Sequence, residues 1–250
     1  MKKALASILV LLMSVSCLTC MAAETSEQEF DPKTKAALIE AEQYAYLDID
    51  SASPELKEKI LDARDAIIFS KNWVADGYEA FVTNENDEVV EILPEFSTVF
   101  PGWDLPKDDV ASTETDSTFP EQMNPPAIVN PLSYSASTWI RLGSKEYYLP
   151  AASNTKDSPP FASFTVDPYD MGTSIRSYAT RLTSSKTYNI GYKNATTGTS
   201  LAYRNHLTLS EKFQINNVQN IKLAIRASTY STPGYATMVV DGANRYTIAK

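Results

Sequence analysis

The chain has 250 residues, with 31 Asp and Glu against 22 Lys and Arg and a formal charge of −9. It contains one histidine and two cysteines, so a histidine-rich metal centre is excluded and cysteine chemistry rests on a single pair. Its length is enough for two small domains or one large one.

The chain opens with Met1-Lys2-Lys3. Residues 4–16, "ALASILVLLMSVS", then carry no charge. This apolar run falls short of the roughly 20 residues needed to span a bilayer. Small residues follow at Cys20, Ala22 and Ala23, and acidity begins at Glu24. The pattern predicts a secretory signal peptide of bacterial type over residues 1–23, cut near Ala22 or Ala23. Both cysteines, Cys17 and Cys20, lie inside it in C-x-x-C spacing. A lipid-attachment box places an aliphatic residue three positions before the cysteine. Ser14 and Cys17 stand there instead, so cleavage is favoured over lipidation. The expected product is secreted, released and free of cysteine, which removes disulfides and a thiol nucleophile.

Charge divides the rest. Residues 24–130 hold 25 Asp and Glu against 7 Lys and Arg, and residues 131–250 hold 6 against 13. The acidic part, 24–106, starts with a predicted helical hairpin over 31–77. Asp31-Pro32 and Ser53-Pro54 each offer an N-cap acceptor followed by proline at the first helical position. Leu38, Ala41 and Ala45, then Leu56, Ile60, Ala63 and Ile67, each form one apolar stripe. Gly77 is read as the stop, with Lys71 near the helix end. "GYEAFVTN" and "EVVEIL" follow as a hairpin around "ENDE". Phe96, Phe100 and Trp103 read as a lid over a small core rather than as binding aromatics. "DIDSAS" at 48–53 starts like a calcium loop but lacks the central glycine and the twelfth-position glutamate.

Residues 107–135 are rich in Pro, Ser, Thr and acid and read as a linker. Residues 136–250 read as strands with frequent turns, an antiparallel sandwich or barrel. In "IKLAIRAS", Leu223, Ile225 and Ala227 share one face, and in "TYNIGYKN" Tyr188, Ile190 and Tyr192 do. Hairpin turns are predicted at Gly143-Ser144-Lys145 and at Asp241-Gly242. The expected fold class is therefore α+β: a helical hairpin with a small β-hairpin, then an all-β domain.

Catalytic signals are weak. A Ser-His-Asp triad would have to use His206, and no nucleophile-elbow sequence accompanies it. Glu146, Asp157, Asp167 and Asp170 are the candidates for a two-carboxylate glycosidase. No metal ligands and no cofactor are expected. The usable signal is cationic. Arg176, Lys193, Arg204, Lys222 and Arg226, interleaved with Tyr178 and Tyr203, are the predicted binding residues. The expected function is a non-enzymatic binding or interaction module, its partner an anionic surface polymer, a glycan or lipid head groups. Specific nucleic-acid recognition and a membrane span are not expected. Two alternatives use the same residues: a toxin-like or antimicrobial protein masked by an acidic pro-region, and a carboxylate-dependent hydrolase of glycan or cell wall.

Overall fold

The computed structural model describes residues 32–107, 139–151, 162–166, 174–183, 185–230 and 232–243. The predicted signal peptide with both cysteines, Asp31, most of the predicted linker and Asp157, Asp167 and Asp170 lie outside them. Residues Lys33–Lys250 form one compact unit.

Helix α1 spans Pro32–Ala45 and helix α2 spans Pro54–Ile68. The Ser53 hydroxyl accepts the Leu56 amide at 3.3 Å, and Pro54 opens α2, as the N-cap pattern predicts. The stripes meet: Ala41 and Ala45 of α1 and Ala63 and Ile67 of α2 are buried in one cluster. The end of α2 differs from expectation. It stops at Ile68, and a short strand β1 (Trp73–Val74) follows before Gly77. Trp73 supplies the reason. Its indole N–H donates to the Ile68 carbonyl at 3.0 Å, capping the helix, while its backbone pairs with Tyr203 far along the chain. A fully buried indole outweighs local helix propensity.

The predicted hairpin forms as β2 (Glu79–Thr83) and β3 (Val89–Ile92), followed by a single turn α3 (Phe96–Val99). The remaining strands are β4 (Ile140–Leu149), β5 (Ala162–Val166), β6 (Ser174–Leu182), β7 (Tyr188–Asn194), β8 (Ser200–Leu207), β9 (Lys212–Asn216), β10 (Leu223–Thr229) and β11 (Gly234–Ala243). They build two antiparallel sheets, of order β1-β8-β7-β10-β5 and β3-β2-β9-β6-β11-β4. One core draws from both. Tyr188, Ile190, Tyr192, Leu223 and Ile225 of the first pack with Ile175, Phe213, Ile215 and Met238 of the second. The Tyr192 hydroxyl donates to the Phe213 carbonyl at 2.7 Å, and the two rings stack at 5.0 Å.

Two predicted turns are strand interior. Residues Gly143 to Lys145 pair in register with Val240 to Met238 along the length of β4. Asp241-Gly242 continues β11, with a bulge at Val240/Asp241 on the β4 side. Gly242 is there for proximity rather than for turning: a Cβ would lie 3.0 Å from Leu142 Cδ1 and 3.4 Å from Ile175 Cδ1.

The seam expected at 107–135 does not separate the sheets. From the acidic part, β1 pairs with β8 and β2 pairs with β9. The helices and α3 add their own cluster, in which Trp73, Phe96, Phe100 and Tyr203 are buried and Trp103 packs partly covered. Phe96, Phe100 and Trp103 follow one another at ring separations of 5.0 and 5.2 Å. Among the described residues, no helix is long and apolar enough to cross a membrane.

Candidate functional site

The seven predicted binding residues divide between the sheets. Arg176 and Tyr178 lie on β6, in the six-stranded sheet. Lys193 on β7, Tyr203 and Arg204 on β8 and Arg226 on β10 belong to the five-stranded sheet, and Lys222 just precedes β10. Within that second group, Arg226 pairs with Gly191 and Gly191 with Tyr203, so the three share a face. Lys193, two residues beyond Gly191, joins it. This face is the one turned away from Leu223, Ile225 and Ala227.

Accessibility varies sharply among them. Lys193 and Tyr203 are buried, and Tyr203 packs edge-on against Phe69 at 5.0 Å beneath the helices. A Cβ on Gly191 would come 3.2 Å from the Tyr203 ring, so glycine leaves room for it. Arg204 is ion-paired to Glu91 of β3 at 2.8 Å. Lys222 is exposed and Arg226 half-buried.

Arg176 and Tyr178 sit in a chain of alternating charge on the outer face of the six-stranded sheet. Strand register sets it up, because Asp241 of β11 stands directly between Arg141 of β4 and Arg176 of β6. Arg141 Nε donates to Asp241 Oδ1 at 3.1 Å, and Arg176 Nε donates to Asp241 Oδ2 at 3.0 Å. The Tyr178 hydroxyl donates to Asp241 Oδ2 at 3.2 Å and accepts from Arg141 Nη2 at 3.0 Å. Arg176 Nη1 reaches Asp87 Oδ1 at 2.7 Å, and Lys212 of β9 binds the same oxygen. Asp87 sits in the β2–β3 turn with φ of 64°, left-handed backbone that aspartate tolerates better than most residues. The Trp139 ring lies 4.3 Å from the Arg176 guanidinium carbon.

Titration follows this geometry. Partial burial would push the Asp87 carboxyl up, but hydrogen bonds from Lys212 and Arg176 outweigh it and hold the group below the usual range. Burial, then the Asp241 charge, push the Tyr178 phenol up. Arg176 is thus committed to two carboxylates and a ring. Its direct work is to join the β2–β3 turn to β6 and β11.

Further along the same face the groups become accessible. Tyr148 of β4 stands opposite Tyr235 of β11, with 55% and 51% of their surfaces exposed. Their rings meet edge-to-face at 5.3 Å and 68°. The next row inward is Glu146, Thr237 and Arg181. Arg181 Nη1 lies 3.7 Å from Glu146 Oε2, both side chains largely in solvent. Thr183, where β6 runs out, donates its amide to the Tyr235 carbonyl at 3.0 Å and accepts the Tyr235 amide on its hydroxyl at 2.9 Å.

Tyr148 and Tyr235 were not among the predicted residues. A signal for the first lay in "EYYLP": consecutive tyrosines in a strand must point to opposite faces. Tyr147 is buried in the common core and Tyr148 faces out. Reading a hairpin turn at 143–145 concealed this, since the strand had been cut in two.

His206 holds a left-handed conformation at φ 54° and packs against Tyr230 at 4.7 Å. Thr187 Oγ1 lies 3.4 Å from its Nδ1. Burial, then the Arg204 charge, lower its pKa. Among the described residues, no group of three or more His, Cys, Asp or Glu is placed to hold a metal ion. Comparison with known proteins finds no matching family model, no matching curated protein and no matching solved structure.

Proposed function

We propose that this chain is an exported, non-enzymatic binding module. Its two sheets form a sandwich, and the outer face of the six-stranded sheet contacts an anionic surface or polymer. One observation carries the reading: the tyrosine pair and Arg181 are presented to solvent together on that face. Contact needs groups that water can reach. Tyr148, Tyr235 and Arg181 meet that need, whereas Lys193 and Tyr203 are covered. Arg176, buried, and Tyr178, half-buried, serve as the footing of the face. Arg226 and Lys222 offer further positive charge at the five-stranded sheet.

The test is binding of the full chain to sulfonated beads or to anionic vesicles across a salt series. Exposed charge pairing is screened over about 10 Å at 0.1 M salt, so binding should fall as salt rises. Binding that ignores ionic strength, or none at low salt, sinks the proposal.

The alternative of a shed acidic pro-region is disfavoured by β2. That strand lies between β3 and β9, with Ala80, Phe81 and Val82 wholly buried. Releasing the segment would strip β3 and β2 from the sheet and expose the flank of β9. The hydrolase alternative draws little support from Glu146, which faces solvent beside Arg181.

A further inference from the structure

We infer that Tyr148, Tyr235 and Arg181 form a subsite for an acidic polysaccharide, one bearing carboxylates on its sugar rings. The inference rests on the contact-surface reading above and names the ligand of that surface.

The rings come first. They meet edge-to-face, so they enclose an open corner rather than a flat plate. An aromatic face is electron-rich, and the C–H groups on one side of a pyranose are weakly positive. One ring face can therefore lie under a sugar while the other ring walls it in. The corner is held firmly, because Tyr235 exchanges two hydrogen bonds with Thr183 through its backbone. Little ordering entropy is left to lose on binding.

The second element is the row beside the rings. Arg181 is separated from Glu146 by 3.7 Å, beyond hydrogen-bond distance. Such an exposed pair is worth about 0–1 kcal/mol, so a ligand carboxylate can displace it. The planar guanidinium matches a carboxylate with two parallel donors. Thr237 is left to bind a sugar hydroxyl.

Charge chooses the acidic class. Arg181 is the cation of this row, and Lys186, three residues beyond Thr183, is exposed as well. A lipid surface fits less well. Membrane-surface segments insert apolar side chains, whereas the neighbours of the tyrosines here are Thr183, Thr237, Glu146 and Arg181.

The experiment is affinity electrophoresis of the full chain through gels containing polygalacturonate or its fully methyl-esterified form. Flotation with phosphatidylglycerol vesicles runs in parallel. Polygalacturonate should retard the protein. Tyr235→Leu and Tyr148→Ala should each weaken the retardation about tenfold, as loss of a central aromatic anchor does. Arg181→Gln should weaken it about three- to fivefold, and Glu146→Gln should leave it equal or tighter. These side chains are exposed, so melting temperatures should hold, and Tyr235→Phe should keep binding if the ring face is what matters. Equal retardation of all variants overturns the subsite. Equal retardation by the methyl ester overturns the acidic class. Binding to vesicles with none to polygalacturonate overturns the polysaccharide assignment and leaves the contact-module reading standing. Binding to neither probe overturns both.

Discussion

The two carboxylate oxygens of Asp241 hold three donors, from Arg141, Arg176 and Tyr178, at 3.0 to 3.2 Å. Asp241 is 3% exposed. Without Asp241, Arg176 keeps only Asp87, and Arg141 and the Tyr178 hydroxyl lose their acceptor. Asp241→Ala should therefore cost about 3–5 kcal/mol, read as a lowered urea midpoint. Replacing Arg176 with methionine should cost less than replacing Asp241, because Lys212 still neutralises Asp87. Asp87 also predicts a pH dependence. Its folded-state pKa lies below the usual value, so its stabilising contribution is present above the ordinary carboxylate range, about pH 4. That contribution is lost as pH falls through the lowered value. Unfolding of Asp87→Asn should show a flatter acid limb than the parent chain, and identical limbs would contradict the assignment. The Arg176 position was legible as a cation on a strand. Its engagement with Asp87, 89 positions away, was not.

Helices α1 and α2 are held to the five-stranded sheet largely through one short element. In β1, Trp73 is fully buried, caps α2 through its indole N–H and meets Phe96 at 5.0 Å. Trp73→Ala should cost about 3–5 kcal/mol and release the helical hairpin before the sheets melt, seen as early helical loss in far-UV circular dichroism. A single cooperative transition would argue against that order. In the facing strands, Gly191→Ala should destabilise by about 1–3 kcal/mol, because its methyl would press on the buried Tyr203 ring. The helix starts were legible because capping is local: Ser53 acts on an amide three residues away. The end of α2 was not, since a partner more than a hundred residues distant claims Trp73. The two misread turns share a cause. Glycine in a strand interior looks like a turn until the neighbouring strand is in place, and Gly242 is needed to admit Leu142 and Ile175.

As a whole, the molecule weaves its acidic and basic parts into shared sheets. Asn216 donates to Glu79 across 137 positions, and Arg204 pairs with Glu91. A chain cut by a protease site engineered into 107–131 should therefore keep its two pieces together. They are expected to co-elute in native gel filtration and separate only in denaturant. Clean separation without denaturant would restore the pro-region alternative.

The sequence by itself determined the helix starts, the strand character of the second half, the β2–β3 hairpin and which residues of β7 and β10 face the core. These are properties of period and capping, and both act over a few residues. Only the tertiary structure decided which strand lies beside which, and therefore which charges meet. Arg176 found Asp241 and Asp87, Arg204 found Glu91, and the predicted cations divided between two sheets. Alternation tells a side chain which face to take, but the neighbour on that face comes from a distant part of the chain.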